Sequence, residues 1–239
     1  GMCGTDPAQP LARPDRPGDF LDLDQAPLRG LRVAWTFDLG DLPVQPEVRA
    51  VLGACRARLE AAGCVVTDAA PALSDADEVF AVLRAERMAA MAPFLRAHRD
   101  QVKATLAWNI EKGTGLDGEQ IARAHARHAE IVERVAAFLA GGPYDVLALP
   151  TVQVVPFPVE QEYPTQINGQ PMATYIDWMR SCSRITVSLH PAVTVPAGLT
   201  ADGLPAGLQL VGRYGSDRRL LEIATAVHAA AGPPVAGPS

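Results

Sequence analysis

Lysine is nearly absent from this chain of 239 residues. Only two of its 21 basic side chains are lysines, Lys103 and Lys112, and both lie in the polar stretch HRDQVKATLAWNIEKG, which is typical of an exposed surface. A lysine can act as a general base only where its surroundings keep it neutral, so we expect neither lysine to do so.

The net charge is −6 and no concentrated basic face is visible, so we expect no nucleic acid partner.

A long hydrophobic run is also missing. The longest apolar stretch, DVLALPTVQVVPFPV at 145–159, is broken by three prolines and is shorter than the roughly 18–20 residues that a membrane span requires. The first twenty residues have neither the basic nor the apolar region of a secretion signal. We therefore expect no membrane association and a cytoplasmic location.

Cysteine is scarce and scattered. The four cysteines, Cys3, Cys55, Cys64 and Cys182, form no C-x-x-C pair and have no metal-ligand spacing. This pattern indicates reduced thiols rather than a disulfide framework or a metal centre. Gly1 before Met2 resembles the remnant of a removed tag, so we expect the natural chain to start at Met2.

The composition, 48% hydrophobic and 20% charged, is that of a globular protein with a sizeable core. Prolines and the lack of any period predict an irregular N-terminal arm over residues 1–27. We expect a single α/β domain over residues 28–231. The tail GPPVAGPS, residues 232–239, is predicted to be disordered.

A strand, a helix and a second strand are predicted near the start of this domain. LRVAW (31–35) and CVVTD (64–68) are the strands, and Pro46 and Gly63 mark the start and end of the helix. The apolar stripe of the helix consists of Val48, Val51, Leu52, Cys55 and Leu59. Such a unit normally closes into parallel strand pairing.

Further helices and strands alternate along the rest of the chain. Residues 74–112 are predicted to be mostly helical, and Asp117 with Gln120 resembles the capping box of a second long helix. The remaining predicted elements are a strand at 145–150, a helix at 171–185, strands at 192–197 and 206–212, and a last helix capped by Ser216. The fold class is therefore α/β, a mixed sheet flanked by helices.

Several separate motifs resemble the C-terminal part of the amidase signature family. They are CGTDPAQP, LRGLRVAW, LEAAGCVV, YDVLALPT, HPAVTVPAGL and DGLPAGLQLVG, and they follow the family's order. The resemblance implies hydrolysis of carboxamide C–N bonds without a metal or organic cofactor. It also implies two catalytic serines and a lysine in a Gly/Ser-rich signature, which would lie N-terminal to every motif seen here. No residue of this chain matches those three, so no catalytic residue is assigned.

The chain departs from the family pattern just before PAVTVPAG. Thr186 and Leu189 stand where the family commonly has Asn and Gly. Leu189 places a side chain where the backbone of family members can approach closely, which puts a preserved substrate pocket in doubt.

One short segment offers an alternative nucleophile. Ser183 or Cys182 with His190 as the base would form a self-contained hydrolase. We favour the simpler interpretation, because small polar residues at a helix end usually hydrogen-bond to nearby backbone.

Two further polar groups are interpreted as structural. His125 and His128, with Glu130 close by, have an i, i+3 spacing that could place two imidazoles on one helix face near a metal ion. No third ligand is evident in the pattern, so we assign no metal site. The acidic cluster Asp75, Asp77 and Glu78 is interpreted as complementing the positive end of a helix.

Thr151 is the residue most readily placed near a substrate. It follows the predicted strand DVLALP, and α/β sheets bind ligands beyond the carboxyl ends of their strands. A structural role as a loop residue at the strand end is an equally good interpretation.

Two functions remain open. The chain is either part of an amidase, inactive alone and completed by an N-terminal partner chain, or a non-catalytic protein that keeps the fold for small-molecule binding or association. In either case missing neighbours would uncover apolar surface. We therefore expect a homodimer, with the arm at 3–27 or the helices at 74–112 in the contact.

Overall fold

The computed structural model describes Ala8 and residues 15–231, and the predicted tail at 232–239, Cys3 and the rest of residues 1–14 of the arm lie outside these residues. The helices are α1 (Pro46–Ala61), α2 (Ala76–Ala89), α3 (Ala92–Ala97), α4 (Ala104–Thr114), α5 (Gly118–Ala140), α6 (Arg180–Val187) and α7 (Asp217–Ala231). The strands are β1 (Arg32–Trp35), β2 (Val65–Asp68), β3 (Val146–Pro150), β4 (Gln166–Ile167), β5 (Gln170–Pro171), β6 (Ala192–Leu199) and β7 (Pro205–Val211).

Five strands form one mixed sheet in the order β2-β1-β3-β7-β6. β1 pairs in parallel with β2 on one side and with β3 on the other, so that Val33 lies between Val66 and Val146. β7 is antiparallel to β3, and β6 is antiparallel to β7. The α/β fold with a mixed sheet and the parallel strand-helix-strand unit are both confirmed.

Helices cover both faces of the sheet. α1 and α7 pack on one face through the predicted stripe of α1 and through Leu220, Ile223 and Val227 of α7. α2, α5 and α6 pack on the other face. The predicted capping box is present, since Gln120 N donates to Asp117 Oδ1 at 2.7 Å and the Gln120 side chain accepts from the Asp117 amide.

The helix predicted at 171–185 is shorter in the structure and begins at Arg180. Residues 166–171 instead form the small hairpin of β4 and β5. Asn168 and Gly169 form its turn with φ of +50° and +78°, which is the geometry that Asn-Gly favours between two strands. This turn precedes the predicted helix, and of the residues predicted helical only Pro171 belongs to the hairpin.

The described part of the arm runs beside α7. It is irregular except for one 3-10 turn at Pro17–Phe20. The Ala26 amide donates to the carbonyl of Glu222 at 3.2 Å, and Arg218 Nη2 donates to the carbonyl of Asp22 at 2.7 Å. This part of the arm is therefore held by its own chain.

Candidate substrate-binding site

The carboxyl ends of β1, β2 and β3 meet at one edge of the sheet. β2 and β3 flank β1. The chain therefore crosses from β1 to β2 on one side of β1, and from β2 to β3 on the other side. Ligands of open α/β sheets bind beyond the carboxyl ends of strands at such a switch point. The loops after β1 and β3, residues 36–45 and 151–157, are therefore the best placed to hold a ligand.

Thr151 directly follows β3 and is tied into the sheet. Its amide donates to the carbonyl of Gly207 at 3.0 Å, and its hydroxyl donates to the Thr194 hydroxyl at 3.2 Å. Its carbonyl oxygen accepts hydrogen bonds from Ser181 Oγ at 2.9 Å and Cys182 Sγ at 2.8 Å. Thr151 thus joins β3, β7 and the first turn of α6. Its contact with a substrate stays a prediction.

A fully buried glutamine joins the two loops. Gln153 Nε2 donates to the Pro43 carbonyl at 3.0 Å, and its Oε1 accepts from the Arg180 amide at 2.8 Å. The Val155 amide donates to Gln45 Oε1 at 2.8 Å. Buried amides with satisfied partners fix a loop in one conformation. Gln153 was not singled out from the sequence, although a lone amide in the apolar run PTVQVVP is a usable signal.

An apolar pocket of about 250 Å³ opens beside this loop. Its rings are Phe157 and Trp178, which meet edge to face with centroids 5.3 Å apart and planes at 87°. Val154, Ile167 and Met172 pack behind them as a separate small hydrophobic cluster. The lining consists of Val48, Val152, residues 154–157, Trp178 and residues 205–207. We call this the Trp178 pocket, and Thr151 adjoins it through the lining residues Val152 and Gly207.

A second cavity of about 600 Å³ lies at the carboxyl ends of β1 and β2, between residues 35–41 and 68–74. Each aspartate in its lining is paired with an arginine, which neutralises its charge. The pairs are Asp38 with Arg49, Asp41 with Arg184 and Asp68 with Arg56.

The predicted acidic cluster does more than complement the dipole of α2. Arg184 is 1% exposed and donates to Asp77 at 2.7 and 2.9 Å, and also to Asp41. Burial acts to lower the pKa of Arg184, but these hydrogen bonds outweigh it and raise the pKa. Arg134 donates to Asp75 at 2.8 and 3.0 Å, which lowers the pKa of the Asp75 carboxyl. Glu78, the third member of the predicted cluster, is exposed. The sequence could not show these arginine partners, because they lie on α5 and α6.

The alternative nucleophile is not assembled. Cys182 and Ser183 both donate to backbone carbonyls, and neither hydrogen-bonds to His190. His190 Nδ1 lies 2.7 Å from the Ser188 carbonyl, and His190 Nε2 has no hydrogen-bond partner. Burial raises the pKa of the Cys182 thiol, which disfavours the reactive thiolate.

The two lysines are on the surface, as the sequence predicted. The Lys103 side chain is 71% exposed and pairs with Glu162 at 3.2 Å. Lys112 is exposed and lies 5.1 Å from the centre of the Trp108 ring. Neither has the desolvated setting of a neutral general base.

The histidines of α5 have protein partners. His125 Nε2 lies 3.3 Å from Glu86, and His128 Nε2 lies 2.8 Å from the Val187 carbonyl. A ring nitrogen that donates to a carbonyl has no lone pair for a metal ion. Within residues 15–231 no group of three or more His, Cys, Asp or Glu side chains is arranged to hold a metal ion.

Leu189, one of the two departures from the family pattern, has a left-handed backbone conformation. Its φ is +58° and its side chain is 55% exposed. Thr186, the other departure, donates from its hydroxyl to the Cys182 carbonyl at 3.0 Å. This chain therefore carries a leucine in a conformation that suits glycine.

Comparison with known proteins identifies the family. The sequence matches the family described as Amidase over residues 1–221. It is 31% identical over 227 residues to an acylamidase of Rhodococcus erythropolis, covering 93% of this chain and 47% of that protein.

Solved structures share the fold. A 6-aminohexanoate cyclic dimer hydrolase has a TM-score of 0.77 at 23% identity, covering 98% of this chain and 52% of that one. A bacterial aryl acylamidase of the amidase signature family has a TM-score of 0.75 at 24% identity, covering 85% and 44%.

The chain belongs to the amidase signature family, which confirms the resemblance stated from its motifs. It spans about half the length of the relatives it matches. Within the described residues, no helix combines the length and the apolarity needed to cross a bilayer.

Proposed function

We propose that this chain is the C-terminal part of an amidase that hydrolyses carboxamide C–N bonds. In this proposal it supplies substrate-binding surface, and the nucleophile lies on another segment. The observation that carries the proposal is the family match over residues 1–221 in a chain about half as long as its relatives. Thr151 and the neighbouring Trp178 pocket are the proposed contribution to substrate binding.

The surroundings of the serine hydroxyls and of the two lysines support the proposal that the chain alone is inactive. A serine attacks a carboxamide only when a base removes its proton. Four of the five serines among the described residues, Ser181, Ser183, Ser188 and Ser216, instead donate their hydroxyls to backbone carbonyls. The fifth, Ser74, is exposed at the rim of the cavity between residues 35–41 and 68–74. Both lysines are exposed and paired elsewhere, so neither is suited to be the base.

An N-terminal amidase segment is the partner we propose. β6 lies at one end of the described sheet, so one side of its backbone has no neighbouring strand there. Leu199 at the end of β6 is half exposed. An open strand edge with adjacent apolar surface is commonly covered by further chain. For the chain purified alone, we propose a second copy as the partner.

The first experiment measures hydrolysis of acetanilide and benzamide by the purified chain. We expect no turnover above the uncatalysed rate. The matched variants are Ser183→Ala and Ser216→Ala, the second being a serine at the start of α7 and remote in sequence from the segment in question. Turnover that survives purification and disappears only in Ser183→Ala would show a self-contained hydrolase and overturn the proposal.

The second experiment determines the DNA sequence upstream of the codon for Met2. A reading frame that encodes a lysine and a Gly/Ser-rich serine signature supports the split or longer enzyme. Its absence favours the alternative of a non-catalytic protein that binds small molecules or associates through the same fold.

A further inference from the structure

We propose that the Trp178 pocket binds the aromatic ring of an aryl carboxamide. The inference rests on the proposed function, because it names the part of the amide that this chain would hold. The pocket lies beyond the carboxyl end of β3, where the sheet topology places ligands. Nothing in the proposed amide chemistry by itself requires a ring.

The size of the pocket fits one ring. Its volume is about 250 Å³, and an apolar cavity of about 150 Å³ is enough to bind benzene in another protein. The remaining space suits the short linker between a ring and its carboxamide. Larger ligand sites usually have volumes of roughly 300–1,000 Å³, so this pocket matches a fragment rather than a long chain.

The shape of the lining favours an aromatic occupant over a saturated one. Phe157 and Trp178 stand at 87° to each other, so together they present a ring face and a ring edge. A third ring can make offset or edge-to-face contacts with such a pair, and these contacts add to the burial of apolar area. The other lining side chains are valines, prolines and an alanine, apart from Gly207.

The pocket is held open by structure behind it. Gln153 and Gln45 fix the loop that carries Phe157 to the loop before α1. Val154 and Met172 are buried in the cluster that packs against both rings. A preformed pocket does not have to collapse or reorder when a ligand enters, which lowers the cost of binding.

The test is a ligand-observed NMR titration of the full chain with phenylacetamide, cyclohexylacetamide and acetamide. We expect phenylacetamide to bind with a Kd of about 1 mM, as suits a ligand of ten heavy atoms. Cyclohexylacetamide should bind severalfold more weakly because it lacks the π system, and acetamide should not bind measurably. Equal affinity for phenylacetamide and either other amide, or no binding of phenylacetamide, would overturn the inference.

Variants locate the binding. Trp178→Ala should weaken phenylacetamide about tenfold, and Trp178→Phe should restore affinity to within about threefold of the parent. Trp108→Ala is the matched control, since Trp108 lies on α4 outside the pocket lining. This variant should bind phenylacetamide with the affinity of the parent chain. If Trp178→Ala does not fold, Phe157→Leu provides the same test. Parent-like affinity in folded Trp178→Ala or in Phe157→Leu counts against the inference.

The titration does not depend on turnover. Ring binding without hydrolysis by the completed enzyme would count against the proposed function alone. Hydrolysis that is indifferent to the ring and to Trp178 would count against this inference alone.

Discussion

Leu189 holds a left-handed backbone conformation, which suits glycine better than leucine. Its φ is +58°, and the left-handed region costs an L-residue about 1–2 kcal/mol relative to the right-handed one. The side chain is mostly exposed, so burial returns little of this cost. The position was identified from the sequence as a departure from the family, but only the structure shows the strain.

We predict that Leu189→Gly stabilises the chain by about 0.5–1 kcal/mol, because glycine adopts this conformation freely and its larger unfolded-state entropy offsets part of the gain. Leu189→Ala is the control, since alanine keeps the left-handed penalty. Urea denaturation gives both free energies of unfolding. Equal stability of the glycine and alanine variants would contradict the strain.

Asp75 provides a pH-dependent prediction at the same scale. The hydrogen bonds from Arg134 lower its pKa in the folded chain, so the unfolded chain takes up the proton first as the pH falls. The stabilisation is therefore present above the ordinary pKa of about 4 and is lost as the pH falls through the folded value.

We predict that Asp75→Asn destabilises the chain at pH 7 and that this difference shrinks below about pH 4. Denaturation at a series of pH values measures it. Glu119→Gln is the control, because Glu119 forms an exposed pair with Arg123 and such pairs contribute little. A difference for Asp75→Asn that does not change with pH would argue against the ion pair.

Helix packing between α2 and α4 depends on one glycine. A Cβ built on Gly113 would lie 1.9 Å from the carbonyl oxygen of Ala85, so the two helix backbones approach too closely for any side chain. Gly53 in α1 provides the opposite case, since nothing lies within 4 Å of the point that a Cβ would occupy there. The sequence places Gly53 inside a predicted helix and Gly113 just after the helical stretch 74–112, whereas the structure places Gly113 within α4.

We predict that Gly113→Ala destabilises the chain by about 1–3 kcal/mol through overpacking. Gly53→Ala should be neutral or stabilising by up to about 1 kcal/mol, because alanine is the better helix former. Thermal or urea denaturation of the two variants and the parent chain measures both changes in the free energy of unfolding. Stabilisation of both variants would mean that α2 and α4 are farther apart than the structure has them.

Elements with a strong local pattern were predictable, and elements set by distant contacts were not. The stripe of α1 and the capping box of α5 each lie within one segment, and both were confirmed. The start of α6 at Arg180 depends on the bond from its amide to Gln153, 27 residues earlier. The arginine partners of Asp75 and Asp77 are separated by more than 50 residues in sequence, so no local pattern could reveal them.

At the scale of the whole molecule, the family was predictable from the motifs, but the Trp178 pocket was not. The position of Thr151 directly after β3 was predictable because DVLALP is a recognisable strand. The Trp178 pocket combines α1, the loop after β3, the residues before α6 and the start of β7. No spacing in the sequence connects these four regions, which meet through the pairing of β3 with β7 and through the hydrogen bonds of Gln153 and Gln45.

The open edges of the sheet are poor places for a second copy to bind. β6 carries Pro196, which lacks an amide hydrogen, and an irregularity between Pro196 and Gly198; both features discourage pairing of strand edges. β2, at the other edge, has only four residues. The described part of the arm is held against α7. The helices at 74–112 therefore become the favoured contact.

We predict that the chain purified alone is a homodimer in which Phe94 of α3 and Trp108 of α4 lie in the contact, because these large apolar side chains are 49% and 37% exposed. Light scattering at micromolar concentration should give twice the monomer mass, and Phe94→Asp should give the monomer by placing a charge in the buried contact. Leu21→Asp is the control, since Leu21 is 79% exposed and lies in the part of the arm held beside α7, on the opposite face of the sheet from α2, and the dimer should persist. A monomeric parent chain would sink the prediction, and a dimer unaffected by Phe94→Asp would move the contact away from α3.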